Sequence, residues 1–226
     1  LAFTRAKPGS GASSQTTKTI TYSYDPLYRL IAATYSTGQV FTYTYDAAGN
    51  RLSEGAPAGF NAYTYDAGNR LSTLNGTIIY TWDNNGDLLD NGQGLTYTYD
   101  AANRLVSVNT NLYNYSYNGL GARVLQVDNG TPITYTLDQN AGLTQVLIEA
   151  TGAGATTYLY GMERINQQSS AGTEYFLPDA LGSVRQLANA TGGLTLAKSY
   201  DPFGQSLSST GSGSSKFSFT GEYRDS

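Results

Sequence analysis

Tyr97-Thr98-Tyr99-Asp100-Ala101-Ala102-Asn103-Arg104-Leu105 decides the fold, because versions of it recur from Tyr22 almost to the end of the chain. Tyr22-Ser23-Tyr24-Asp25-Pro26-Leu27-Tyr28-Arg29-Leu30 is one copy. Tyr43-Thr44-Tyr45-Asp46-Ala47-Ala48-Gly49-Asn50-Arg51-Leu52 and Tyr63-Thr64-Tyr65-Asp66-Ala67-Gly68-Asn69-Arg70-Leu71 are two more. Tyr80-Thr81-Trp82-Asp83 opens a worn copy, and Tyr115-Ser116-Tyr117-Asn118 with Arg123 and Tyr200-Asp201-Pro202-Phe203-Gly204 are looser ones. From Asp25 to Asn118 the acidic residue or its amide returns every 17 to 21 residues. A repeat of that length belongs to an array of supersecondary units and not to a conventional globule.

Each unit reads as a β-hairpin. Tyr43 and Tyr45 are two apart, so an extended strand shows both rings on one side. Asp46 to Asn50 then turns the chain, since Asp can bond its own backbone two residues on and Gly and Asn tolerate positive φ. Arg51-Leu52-Ser53 starts the return strand, and second turns such as Asn75-Gly76 and Asn129-Gly130 lead into the next unit. A lone hairpin is marginal in water, so the units are expected to pair edge to edge in one long twisted sheet. The pairs Tyr22/Tyr24, Tyr43/Tyr45, Tyr63/Tyr65, Tyr80/Trp82, Tyr97/Tyr99 and Tyr115/Tyr117 are expected to stack on one another across strands. Arg29, Arg51, Arg70, Arg104 and Arg123 lie within reach of a Tyr ring or of the turn Asp.

Composition removes most chemistry. The 226 residues include 20 Tyr and 26 Gly, but no His and no Cys. Without them the commonest general base, the thiol nucleophile, the disulfide and the thiolate metal site are all absent. Charged residues make up 13% of the chain, against about 25% in ordinary domains, and no window has the period of a long amphipathic helix. A net charge of −4 without a Lys/Arg cluster argues against nucleic acid as a partner, and no apolar run approaches the roughly 20 residues needed to insert across a membrane. The expected fold is all-β, with almost no helix.

The expected organisation has three parts. Residues 1–18 are a Gly/Ser/Thr-rich lead-in or linker, residues 19–127 the regular array, and residues 128–226 degenerate repeats. Within the last part, residues 204–216 read as a Ser/Gly-rich loop. The chain opens on Leu1 rather than Met and stops within what reads as a further unit, so a segment of a longer protein is expected.

The tandem units, followed by Asp179-Ala180-Leu181-Gly182-Ser183-Val184-Arg185, Tyr200-Asp201-Pro202-Phe203-Gly204 and Phe219-Thr220-Gly221-Glu222-Tyr223, resemble the YD-repeat (Rhs, rearrangement hotspot) proteins from residue 19 onward. The last three motifs are similar to the Rhs-associated core. The resemblance implies a spiralling strip of antiparallel hairpins wound into a hollow shell. In bacterial Rhs proteins and the C components of insecticidal toxin complexes such a shell encloses a C-terminal toxin, and in teneurins a similar shell serves cell adhesion. It also implies, in bacterial members, an aspartate-based self-cleavage segment of the form Asp-Pro-x-Gly-Leu beyond the core, which these 226 residues do not contain.

Several residues invite a chemical reading. Asp179 and Asp201 are the candidates for a catalytic carboxylate dyad, but Ala180 and Pro202 follow them where an aspartic protease has Thr or Ser, and turn formation is the competing reading. Asp83, Asp87 and Asp90 are spaced loosely like a Ca²⁺ loop without its bidentate Glu. No cofactor and no metal are expected. Tyr, Asn and Trp82 side chains could stack on sugars, and Asn75, Asn114 and Asn189 fit the N-glycosylation pattern. The expected function is a bacterial, secreted or cell-surface shell segment that encapsulates or presents a polypeptide cargo such as a toxin. The alternative is an extracellular interaction module or filament subunit, self-associating through open sheet edges or binding carbohydrate.

Overall fold

Every motif Tyr-x-Tyr-Asp ends a strand, and the chain after it returns antiparallel to that strand. The computed structural model describes residues 19–110, 112–140 and 142–224. The expected lead-in, residues 1–18, lies outside them. The described residues form two compact units that divide between Leu95 and Thr96.

The first unit holds a seven-stranded sheet in sequence order: β1 (Ile20–Tyr24), β2 (Leu30–Tyr35), β3 (Val40–Tyr45), β4 (Arg51–Ala56), β5 (Gly59–Tyr65), β6 (Leu71–Leu74) and β7 (Ile78–Ile79). The worn copy forms a separate two-stranded ribbon, β8 (Thr81–Trp82) with β9 (Leu88–Asp90).

The second unit is one twelve-stranded meander. It begins with β10 (Tyr97–Tyr99), β11 (Leu105–Val108), β12 (Tyr113–Tyr117), β13 (Arg123–Asp128), β14 (Thr131–Asp138) and β15 (Gln145–Thr151). It continues with β16 (Gly154–Tyr160), β17 (Arg164–Ser169), β18 (Gly172–Pro178), β19 (Val184–Asn189), β20 (Leu194–Tyr200) and β21 (Ser206–Gly211). A single 3-10 turn, Phe219–Gly221, is the one helical element among the described residues, and no helix there is long and apolar enough to cross a membrane.

Two expectations change. The units do not share one sheet: at the worn copy the strands shrink to two and three residues, too short to carry the ladder onward. The stretch read as a Ser/Gly-rich loop contains β21, which pairs with β20 and matches Ser199 Oγ to Ser208 Oγ at 2.6 Å. Ser repeating at period two makes an edge strand as readily as a loop.

The aromatic rows are also organised differently. Directly opposite Tyr43 stands Glu54, opposite Tyr45 stands Arg51, and opposite Tyr115 stands Gln126. The Tyr-bearing strands of successive units are separated by a return strand, which places their rings about two strand spacings, roughly 9.5 Å, apart. That gap is filled by guanidinium groups. Arg51 lies over Tyr43 and Tyr63, with 5.7 and 4.9 Å to the centroids, and Arg123 lies over Tyr115 and Tyr135 at 5.2 and 5.6 Å.

The second unit has a true core. Tyr158, Phe176, Val184, Leu187, Leu196 and Phe217 are all buried together. Phe217 arrives from the segment after β21, which folds back over the sheet and ties Val184 N to the Ser218 carbonyl at 2.9 Å.

Candidate functional site: the Asp–Arg–Tyr ladder

The repeated turn is built around its Asp. In the first unit Asp25 Oδ1 accepts the amides of Leu27 and Arg29, both at 2.9 Å, and Oδ2 accepts Arg29 Nε at 2.7 Å. Asp66 does the same with Gly68, Arg70 and Arg70 Nε at 2.8, 3.0 and 2.7 Å, and Asp100 with Ala102, Arg104 and Arg104 Nε at 2.9, 3.0 and 2.7 Å. The residue three after the Asp takes positive φ: Tyr28, Gly49, Asn69, Gly86 and Asn103 occupy that place in turn. This is why Gly or Asn recurs there.

The same Arg joins one hairpin to the next. Arg29 Nη1 donates to the Asp46 carbonyl at 2.7 Å while its guanidinium lies over Tyr45, 5.0 Å from the centroid. Tyr45 Oη in turn donates to the Leu30 carbonyl at 2.8 Å. The link repeats as Tyr65 to Arg51, Trp82 Nε1 to Leu71, Tyr117 to Leu105, Tyr160 to Val146 and Tyr200 to Val184, at 2.7 to 3.0 Å. Trp82 can replace Tyr because what the ladder requires at that point is one donor on a long flat side chain.

One extra residue changes the Arg's task. In these copies the turn closes at the fourth residue after the Asp, and in the second copy that residue is Asn50, whose backbone N–H donates to Asp46 Oδ1 at 2.8 Å and whose side-chain amide donates to Asp46 Oδ2 at 2.9 Å. Arg51 is thereby moved into the strand, to the place that Leu30, Leu71 and Leu105 hold in other copies. Arg123 is displaced in the same way, with Ala122 closing its turn.

A second row lies beside the first. Glu54, Gln126, Glu149 and Gln167 are buried, and the next unit's Tyr reaches three of them: Tyr63 to Glu54 at 2.8 Å, Tyr135 to Gln126 at 3.0 Å and Tyr158 to Glu149 at 3.2 Å. Sequence reasoning missed this row. A signal was present: Arg51, Arg123 and Arg164 are each followed three residues later by Glu54, Gln126 and Gln167. Arg164 was also missed; it lies over Phe217 at 3.1 Å and donates to the Gly221 carbonyl at 3.1 Å.

The electrostatics follow the contacts. The Arg29 amide and guanidinium hold the Asp25 carboxyl below its ordinary value, the Arg70 amide and side chain do so for Asp66, and the Arg104 side chain and amide for Asp100. Burial pushes the Tyr63 phenol up to about 12, and also raises Tyr158 and Tyr223. Burial lowers the Arg164 guanidinium from its usual range.

Asp179 and Asp201 are turn residues of the same kind. Asp179 Oδ1 accepts the amides of Leu181 and Ser183 at 3.0 Å, and Oδ2 pairs with Arg185 Nε at 2.7 Å. Asp201 Oδ1 accepts the amides of Phe203 and Gln205 at 2.8 Å. Each carboxylate is thus engaged by its own hairpin, as Asp25 is, and the turn requires it there. Asp83 Oδ1 likewise accepts the amides of Asn85 and Asp87, at 2.8 and 2.9 Å, which makes the loosely Ca²⁺-like stretch another copy of the turn. Among the described residues no group of three or more His, Cys, Asp or Glu could hold a metal ion.

Antiparallel hairpins stapled in series by a turn Asp, a bridging Arg and a Tyr hydroxyl define a YD-repeat protein. The sequence matches the Teneurin YD-shell family over residues 10–226, and the chain belongs to that family. Among solved structures it is similar to the TcdB2-TccC3-Cdc42 complex, at 15% identity and a TM-score of 0.54, over 92% of this chain and 15% of that one. A Photorhabdus luminescens Tc holotoxin pore carrying a TccC3 variant is similar at 17% identity and a TM-score of 0.45, over 92% of this chain and 16% of that one. The chain therefore spans about 15% of the length of the Tc toxin chain it resembles. No curated protein matches the sequence significantly.

Proposed function

We propose that the chain is a wall segment of a YD shell that encloses or presents a polypeptide carried C-terminally, such as a toxin, in a secreted or surface-displayed bacterial protein. The observation that carries this reading is how completely the chemistry-bearing motif is used up in the wall. Asp25, Asp66 and Asp100 each serve their own turn, and Arg29 and Arg70 each reach on to the next. A wall of this kind acts by keeping its guest from solvent, and it performs no reaction itself.

The test uses the longer parent protein. A C-terminal guest enclosed by the shell should resist added protease that rapidly digests the guest made alone, and should become sensitive when the ladder is broken by the double change Arg29→Ala and Arg70→Ala. Equal digestion rates for enclosed and free guest would remove the encapsulation reading. Self-cleavage by the parent does not depend on Asp179 or Asp201 in this view, so Asp179→Asn and Asp201→Asn variants should be processed normally.

A second reading rests on β1 and β21, which stand outermost in their sheets. Open outer strands can template pairing with another chain, as an adhesion module or filament subunit would require, and the Tyr rows could touch carbohydrate. Growth of fibrils with concentration, visible by electron microscopy, separates this reading from a finite shell.

A further inference from the structure

Strands β15 to β20 and the returning segment after β21 enclose a polar cavity of about 470 Å³ within the second unit. Its floor is one face of the sheet, where Glu149 stands opposite Thr156, Gln167 opposite Glu174 and Glu174 opposite Asn189. Its wall is the returning segment. Gly213 passes so close to the floor that a Cβ there would meet Glu174 Oε1 at 2.7 Å and Thr195 Oγ1 at 2.8 Å, and Gln167 Nε2 donates to the Ser214 carbonyl at 2.6 Å. The floor strands are each paired on both sides, so further strands added at the ends of the sheet do not extend through this place.

Two carboxylates line the cavity without a cation of their own. Glu149, 9% exposed, accepts the Tyr158 and Tyr223 hydroxyls on Oε2, while its Oε1 takes no hydrogen bond among the described residues. Glu174 accepts the Thr195 hydroxyl on Oε1 and Gln167 Nε2 on Oε2, the latter at 2.8 Å. Among the described residues neither Glu is in a salt bridge, whereas Asp25, Asp66, Asp100 and Asp179 each pair with an Arg. The buried Glu/Gln row explains the difference. Arg51, Arg123 and Arg164 stand three residues before Glu54, Gln126 and Gln167, but Val146 stands three before Glu149. Glu54 has Arg51 at 3.7 Å; Glu149 keeps the charge and lacks the Arg. Lys216 is the one cation in the lining against two carboxylates, which leaves the cavity net negative. A carboxylate this far from water is costly without a partner cation.

We propose that this cavity is a socket for one arginine side chain of the polypeptide that the shell encloses. A guanidinium brings five N–H donors in a planar fork to a lining rich in acceptors, and it gives up its water more readily than an ammonium does. It would supply Glu149 with the kind of partner that Arg51 gives Glu54. The source of the arginine rests on the wall reading under Proposed function; the socket itself does not.

The probe is N-acetyl-argininamide, titrated at low salt into the 226-residue chain and followed by backbone NMR. Saturable shifts are expected at the amides of Glu149, Thr156, Glu174 and Gly213 in the millimolar range, and none from N-acetyl-citrullinamide, which has the same shape without the charge. Glu149→Gln should weaken binding by about 10-fold or more, the loss expected when a charged acceptor becomes neutral. The fold tolerates Gln there, since Gln126 holds the equivalent place and accepts the Tyr135 hydroxyl at 3.0 Å. Thr156→Lys, which sets a cation directly across from Glu149, should abolish binding and provides a second variant. In the longer parent protein, a photo-cross-linking amino acid in place of Ser169 should link to an arginine-containing segment of the guest. No binding, equal binding of the citrulline probe, or indifference to both variants would overturn the socket, even where the guest resists protease and the wall reading stands. Probe binding without any link to the guest would overturn the guest as the source of the arginine.

Discussion

Replacing Phe217 by Ala should detach the segment after β21 from the sheet it covers. Phe217 is 3% exposed and meets three rings edge-on, with centroids of Tyr158, Tyr223 and Phe176 at 5.0, 5.4 and 6.0 Å. Arg164 caps its face. Truncating a buried Phe to Ala costs about 3–5 kcal/mol, and the edge-on pairs place this site toward the upper end. The loss should fall first on the polar contacts of the same segment: Thr220 N to Ser183 Oγ at 3.0 Å, Gly213 N to the Thr195 carbonyl at 2.8 Å and Tyr223 Oη to Glu149 at 2.9 Å. Native-state hydrogen exchange resolves these amides. In the variant, Thr220 and Gly213 should exchange faster by about three to three and a half powers of ten, since each 1.4 kcal/mol is a factor of ten, while the amides of β3 and β4 in the first unit stay unchanged. A global loss below about 1 kcal/mol with unaltered exchange at Thr220 and Gly213 would show that the docked segment is not held by its aromatic ring.

Three further outcomes follow from the ladder and its turns. Tyr28 is 88% exposed yet held at φ 60°, so Tyr28→Gly should stabilise the first hairpin by about 1 kcal/mol in urea denaturation, and a loss of stability would refute the strain argument. Trp82→Phe removes the donor to the Leu71 carbonyl and should cost about 1 kcal/mol, with Trp82→Tyr recovering part of it; equal effects of Phe and Tyr would deny the hydrogen bond its role. Asp25, Asp66 and Asp100 titrate below their unfolded value of 3.8, so the unfolded chain binds protons first as pH falls. Their stabilisation is complete above that value and disappears as pH drops through the lower folded values, so thermal unfolding should be flat from pH 7 to about 5 and fall steeply below about 4. An acid-insensitive midpoint would contradict the carboxylate contacts.

What the sequence determined by itself is whatever depends on contacts within one hairpin. Tyr-x-Tyr at period two, an Asp that bonds its own turn and a Gly or Asn at the positive-φ place are local requirements, and each is visible within about ten residues. The all-β class, the hairpin unit and the turn roles of Asp25, Asp66 and Asp100 are accordingly legible in it. The relation between units is not, because the pairing partner of a Tyr is chosen by the strand that intervenes. Glu54 rather than another Tyr faces Tyr43, and Arg51 reaches two rings only because one extra turn residue moves it into β4. Nor could spacing show that Phe217 closes a core with Tyr158 and Phe176, or that Tyr223 hydrogen-bonds Glu149, 74 residues away. Those contacts exist because the last segment folds back across strands it does not pair with along their length, and burial of apolar surface, unlike a turn, carries no mark of sequence distance. The sequence holds the repeat; only the tertiary structure decides what each repeat touches.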